Sequence, residues 1–246
     1  MIGLVLAAGA GRRLQPLTNE LPKALLPVSG ERTILDIALG NLREVGIDEV
    51  VLVTGFAAQR IEERVDDFER RYGVNLHTVY NDKAEEWNNA YSLWVARQWF
   101  GEGALLINGD TVHPLTVEER LLEARGADIL LAVDDGKPLA EEEMKVVLDS
   151  DGALAHINKA VDPAVAAGEY IGVTLIESRA AGALTSALET TWSTDPSLYY
   201  EDGYQEFVNQ GGSIAVTSIG AADWVEVDDH TDLVRAREVA CHYLPG

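Results

Sequence analysis

The feature that most constrains this chain is a short, almost unbroken apolar run, Ile2 to Ala8, that stops abruptly at Gly9 and Gly11. A strand without polar alternation buries both of its faces, as strands of a parallel sheet do between two layers of helices. The same texture returns at Val50–Val53, which ends in Thr54-Gly55, and at Ala104–Ile107, which ends in Asn108-Gly109-Asp110. Leu76–Tyr80 reads as a further strand. Helix-period segments lie between them: Thr33–Val45, stopped by Gly46; Ala57–Tyr72, heavily charged; and Asn88–Trp99, opened by an asparagine cap. This alternation predicts an α/β fold, a doubly wound (Rossmann-like) mixed sheet built of βαβ units.

After Ile129–Val133 the pattern changes. Lys145–Leu148 and Leu154–Asn158 flank a turn and predict a hairpin, and Tyr170–Ile176 predicts another strand. Helices are expected at Ala180–Thr191, Tyr204–Gln210 and Asp232–Tyr243, with late strands at Ile214–Ile219 and Trp224–Val227. No repeat, linker or low-complexity tract interrupts the chain. The expectation is one domain over residues 1–246, with residues 1–133 as one half and 134–246 as an insertion-like second half. At 246 residues and 47% hydrophobic content the chain can build a sizeable core.

Composition narrows the partners. The formal net charge is −22, from 41 acidic and 19 basic residues. Such a surface repels phosphate backbones and anionic membranes, so neither a nucleic acid nor a membrane is an expected partner. A small anionic ligand would need a few well-placed local cations. No stretch reaches the roughly 18–20 apolar residues of a membrane span. Met1–Ala10 lacks the basic region of a secretion leader and runs directly into Arg12 and Arg13. The single cysteine, Cys241, permits no internal disulfide, and a reducing cytoplasm is the expected compartment.

Three places carry chemistry-bearing residues at the ends of apolar strands. In the first, Leu6-Ala-Ala8-Gly9-Ala-Gly11-Arg-Arg13-Leu14, glycines after a strand let backbone N–H groups approach an anion, and Arg12, Arg13 and Lys23 supply positive charge. It is neither a P-loop, lacking Gly-Lys-[Ser/Thr], nor a dinucleotide fingerprint, since Leu14 stands where its third glycine belongs. A plain strand-to-helix turn with solvent-facing arginines is the alternative for the glycines alone. In the second, Asp110 ends a strand, where ligands of open α/β sheets bind, and a hard carboxylate there suits Mg²⁺. An Asx turn is the alternative. In the third, Glu226 and Asp228 share one face of a short strand by its period of two. They repel unless a cation joins them, and the alternative is an acidic edge strand.

The run Leu-Ala-Ala-Gly-x-Gly-x-Arg-Leu-x-Pro-Leu-Thr, followed by Pro-Lys-x-Leu-x-Pro-Val, resembles the signature of the nucleoside-triphosphate transferase family across residues 4–28. That family includes sugar-1-phosphate nucleotidylyltransferases and the phosphocholine and inositol-phosphate cytidylyltransferases. The resemblance implies an NTP-binding first half and an acceptor-binding second half. It implies that Arg13 contacts the triphosphate and the pentavalent centre and that Lys23 binds the phosphates. Leu6, Ala8, Gly9 and Gly11 would line the nucleotide, and Asp110, Glu226 and Asp228 would hold Mg²⁺.

The tract Tyr80-Asn…Asn88-Asn89-x-Tyr-Ser92 is similar to phosphocholine cytidylyltransferases, which favours CTP as the NTP; the amides read a base edge or cap a helix. By the same resemblance Lys145 and Lys159 would approach the acceptor phosphate, a solvated lysine being the alternative for either, and Glu169, Tyr170 and Gly172 would line the acceptor pocket. Trp192, Tyr199, Tyr200, Glu201 and Asp202 form an aromatic and acidic cluster that either holds a quaternary ammonium or is an ordinary core patch. His113 and His230 are not candidates, because an ionised acceptor phosphate needs positioning and charge neutralisation more than a proton shuttle.

The expected partners are therefore an NTP, with CTP favoured, and a small phosphorylated alcohol or phosphonate. A sugar-1-phosphate with UTP or dTTP is the alternative enzyme, and a non-catalytic nucleotide sensor is the alternative from another class. The oligomeric state stays open, a homodimer included.

Overall fold

The computed structural model describes residues 1–243 and carries a nine-stranded mixed sheet at its centre. Strands β1 (Ile2–Ala7), β2 (Pro27–Ser29), β3 (Arg32–Thr33), β4 (Glu49–Thr54), β5 (Asn75–Tyr80) and β6 (Ala104–Asn108) come from the first part of the chain. They are followed by β7 (Thr111–Val112), β8 (Ile129–Asp134), β9 (Lys145–Leu148), β10 (Leu154–Asn158), β11 (Gly168–Ile176), β12 (Ile214–Ser218) and β13 (Val225–Glu226). The helices are α1 (Ile34–Glu44), α2 (Ala58–Glu62), α3 (Val65–Tyr72), α4 (Asn89–Val95), α5 (Thr116–Glu123), α6 (Ala181–Thr194), α7 (Tyr200–Asn209) and α8 (His230–Tyr243).

The order across the sheet is β10-β9-β11-β6-β1-β4-β5, with β8 on the other edge of β11 and β12 beyond it. β1 pairs in parallel with β4 and β6, and β4 with β5, while β11 runs antiparallel to β6 and β8. One sheet therefore joins strands from both halves of the chain. The unbroken apolar runs are buried on both faces, as their texture requires. Leu4, Val51, Val53, Ala104 and Leu106 pack toward α4, α6 and α7, whereas Val5, Val50, Leu52, Leu105 and Ile107 pack toward α1, α3 and α5. A third cluster joins Leu14, Leu26, Val28 and Ile34 to Val225, Val227 and the inner face of α8. Among the described residues no helix is long and apolar enough to cross a membrane.

The expected elements form, with informative differences. The helix expected at Ala57–Tyr72 is two helices, anchored separately by Ile61 and Phe68, both fully buried. Asp66 and Asp67 open the second, where negative charge favours a helix start. The helix expected from Tyr204 begins at Tyr200, because Asp202 reaches back to accept from the backbone N–H of Tyr199 at 2.8 Å. The strand expected at Trp224–Val227 shrinks to Val225–Glu226, which pairs with β7 outside the main sheet. Helix α5 and the short β2–β3 pair had no counterpart in the sequence reading.

Candidate active site

The parallel strands β1, β4 and β6 end on one edge, and the glycine turn begins there. Gly11 has φ of +59° and opens a 3-10 turn over Arg12–Leu14. A side chain at Gly11 would be strained, and its Cβ would stand 3.1 Å from the Lys23 Cβ. The Thr18 hydroxyl donates to the Gly11 carbonyl at 2.7 Å, and the Lys23 N–H donates to the Gly9 carbonyl at 3.4 Å. The turn is thus folded back on the segment that carries Lys23.

Asp110 follows β6, and β7 leaves directly after it. The antiparallel pairing of Glu226 with Thr111 and Val225 with Val112 fixes β13 beside it. Val227 N–H donates to the Asp110 carbonyl at 2.9 Å. This short pairing brings the carboxylates of Asp110, Glu226 and Asp228 within 4.8 Å of one another. Lys23 Nζ donates to Asp110 Oδ2 and to Asp228 Oδ1, both at 2.8 Å, the latter 205 residues away in sequence. Arg13 reaches Asp228 Oδ2 at 2.7 Å.

The electrostatics suit a cation centre. Burial would lower the Lys23 pKa, but Asp110 and Asp228 raise it above the usual lysine value, so the ammonium stays charged. Burial works against the Asp228 carboxylate, and Lys23 and Arg13 nevertheless hold it below the usual range. Glu226 behaves oppositely. It has accessible surface, but that surface opens into the crevice; desolvation there, with repulsion from Asp110 and Asp228, pushes its carboxyl up to about 8. Asp110 Oδ1 is buried without a hydrogen-bond partner. Three hard oxygen donors, one orphaned and one reluctant to ionise, fit a hard divalent cation.

Beside these acids lies a crevice. One wall is Leu6, Ala8 and Gly9 with Asn88, Asn89 and Ser92; Asp110 and Glu226 lie at its centre; and Met144, Lys159, Tyr170, Gly172, Tyr199 and Glu201 line the rest.

Residues 3–194 match the family of MobA-like NTP transferase domains. The chain belongs to this family. It is 32% identical over 240 residues to the CMP-5'-(3-aminopropyl)phosphonate synthase of Streptomyces rubellomurinus, covering 93% of this chain and 37% of that protein. It is 36% identical over 98 residues to the choline-phosphate cytidylyltransferase of Streptococcus pneumoniae, covering 40% of each. These alignments span well under two thirds of either relative. Its structure resembles that of the inositol-1-phosphate CTP transferase from T. maritima, with a TM-score of 0.82, 25% identity, and coverage of 96% of this chain and 93% of the other.

Within this family member the residues singled out from sequence fall into two groups. Arg13, Lys23, Asp110, Glu226 and Asp228 converge, and Leu6, Ala8, Gly9, Asn88, Asn89, Lys159, Tyr170, Gly172 and Glu201 reach the crevice wall. Three of the suggested acceptor residues do not. Lys145 is fully buried, and its Nζ donates to the carbonyls of Ala140, Glu141 and Glu143 at 2.7–3.1 Å, holding that loop together. Glu169 points away from Tyr170, because neighbours on a strand face opposite sides, and it pairs with Lys137 at 2.7 Å. Tyr200 is buried behind the wall, where its hydroxyl donates to Asn108 Oδ1 at 2.9 Å.

Both asparagines line the crevice, and their side-chain oxygens also cap: Asn88 Oδ1 accepts from Asn89 N–H at 2.8 Å, and Asn89 Oδ1 accepts from Tyr200 N–H, the start of α7, at 2.9 Å. His113 is bound to Glu118 at 2.7 Å in the core, and His230 lies on the Gln15 carbonyl, so neither lines the crevice. The sequence reading missed Asn108, Trp87, Glu142 and Met144 as lining residues. Asn108 was findable, as the polar end of an apolar strand. The others had no local signal.

Proposed function

We propose that this chain is a Mg²⁺-dependent cytidylyltransferase that couples CTP to a small phosphorylated or phosphonylated alcohol and releases pyrophosphate. The observation that carries the reading is the meeting of Lys23 and Arg13 with Asp110 and Asp228 at the mouth of the glycine turn. Asp110, Glu226 and Asp228 would hold Mg²⁺, which would supply charge neutralisation at the phosphates.

The acceptor's phosphate or phosphonate oxygen forms a bond to the α-phosphorus of CTP. The bond from that phosphorus to the oxygen of the β-phosphate breaks, and pyrophosphate carries away the electron pair. The acceptor oxygen is already ionised, so the residues need to position it and offset charge. The backbone at Ala8 and Gly9 supports the nucleotide. Arg13 and Lys23 hold fixed positive charge where the triphosphate charge grows. The first half of the chain is assigned to the NTP and the second to the acceptor, in a reducing cytoplasm.

CTP is favoured by the relatives named above. A sugar-1-phosphate acceptor is the second reading, favoured by 26% identity over 97% of this chain to a glucose-1-phosphate thymidylyltransferase of Streptomyces griseus. Pyrophosphate release from four NTPs, each paired with choline phosphate, inositol phosphate and glucose-1-phosphate, separates the two. Turnover should require CTP; turnover with UTP or dTTP alone would transfer the case to the sugar enzymes.

A further inference from the structure

Two carboxylates of the crevice lining, Glu142 and Glu201, stand outside the three-acid group, and of these only Glu201 is buried. Asp110 and Glu226 belong to the three-acid group; Glu201 does not. Glu201 lines the same crevice, is only 6% exposed, and has its Oε2 buried with no hydrogen-bond partner. Among the described residues no lysine, arginine or histidine forms an ion pair with it; Lys159, the basic residue of the crevice lining, acts on it only from beyond ion-pair distance and lies over the Tyr199 ring at 5.3 Å. The position is fixed, because Glu201 sits in the first turn of α7, whose start is tied to Asn89 and Asp202. Burial pushes this carboxyl up to about 8.

The aromatic surroundings decide which kind of cation fits. A quaternary ammonium has no N–H and is held by open aromatic faces. Here the Tyr199 face already carries Lys159, and the Trp87 ring is stacked on Trp192 at 5.7 Å with Lys83 at 5.8 Å. The Tyr170 hydroxyl is engaged by Thr174 and Tyr200. What the wall offers is an acceptor oxygen in search of an N–H donor, and a charged N–H satisfies a buried carboxylate best.

We infer that Glu201 binds a primary ammonium at the far end of a short acceptor, so the acceptor class is an aminoalkyl phosphate or phosphonate. The assignment rests on the transferase reading above. Its anionic end then meets the three-acid centre, and its amine the orphaned Glu201 oxygen.

The test is a matched acceptor series with the wild-type protein, Mg²⁺ and each of the four NTPs. 3-Aminopropylphosphonate is compared with propylphosphonate, and 2-aminoethyl phosphate with ethyl phosphate, alongside choline phosphate and inositol 1-phosphate. Each amine should exceed its uncharged isostere by about tenfold or more in kcat/KM, mainly through KM, as expected for a charge-assisted hydrogen bond to a buried group. In Glu201→Gln the ratio of amine to isostere should shrink to about threefold or less. Isosteres as good as the amines, a preference for choline phosphate or inositol 1-phosphate, or an unchanged ratio in the variant overturns the amine assignment and leaves nucleotidyl transfer standing. Pyrophosphate from none of the pairs overturns both. The wild-type series decides even where the variant does not fold.

Discussion

The two walls of the crevice are built in different ways. The wall proposed for the nucleotide takes Leu6, Ala8 and Gly9 from one segment, with Arg13 and Lys23 soon after it in sequence, and adds Asn88, Asn89 and Ser92 from the start of α4. The wall proposed for the acceptor draws on separate elements: Met144 before β9, Lys159 after β10, Tyr170 and Gly172 on β11, and Tyr199 and Glu201 around the start of α7. Even its backbone irregularity is tertiary. Gly172 has φ of +80° at a break in the β11–β8 register, and a Cβ there would lie 2.6 Å from Asn108 Nδ2. A triphosphate is the same in every NTP and can be met by one local turn. An acceptor is chosen among many, and its recognition is spread over positions that only folding unites. The three-acid group stands between the walls and draws from distant parts of the chain.

The sharpest break in this comparison is Asp110→Asn. It should cut kcat by about a thousandfold while circular dichroism and thermal unfolding stay near those of the parent. Activity within tenfold of the parent would remove the metal assignment. Next comes Lys23→Met, which should lower kcat by about a hundredfold. It also strips counter-charge from Asp110 and Asp228, so urea unfolding in EDTA should show a loss of ~3 kcal/mol, partly restored by Mg²⁺. Stability unchanged in EDTA would mean that the lysine is not the internal counter-ion.

Glu226 gives a pH signature. Its folded carboxyl lies near 8 against an ordinary value of 4.5. Without divalent cation, its penalty is absent below 4.5, grows as the unfolded chain ionises, and is complete above about 8; stability from this group therefore falls across that window. Mg²⁺ must displace the proton, so apparent affinity should rise toward pH 8, with proton release seen by calorimetry in buffers of different ionisation enthalpy. Glu226→Gln should abolish the slope, and a flat wild-type profile would contradict the assignment. The smallest effect is expected at Lys145→Met: a stability loss of about 1–2 kcal/mol, from three carbonyls losing their donor, with acceptor KM changed by less than about twofold. A tenfold rise in KM would return Lys145 to the acceptor site.

The legibility of the chain follows the same division. Strands β1, β4, β6 and β8 announced themselves because burial on both faces leaves an unbroken apolar run. Asp110 was legible because sheet ligands gather beyond such strand ends. Lys145 and Lys159 looked alike in sequence, yet one is a buried clamp for a loop and the other faces the crevice; nothing within a few residues of either distinguishes them. Glu169 was misread because a motif was taken whole, when the alternation of β11 sends it and Tyr170 to opposite faces. That Asn89 also caps α7 was not legible, because α7 lies far along the chain.

By itself, then, the sequence determined the α/β layering, the glycine turn, the two cations beside it and the acids able to hold a metal, since each is written in contiguous residues through periodicity, backbone freedom or charge. Only the tertiary structure decided that Glu226 and Asp228 reach Asp110, through the two-residue β7–β13 pairing, and that Glu201 is left buried without a partner while Lys145 and Tyr200 turn away. Those outcomes depend on which distant strands and helix ends come into register, a property of the packed chain that no local pattern encodes.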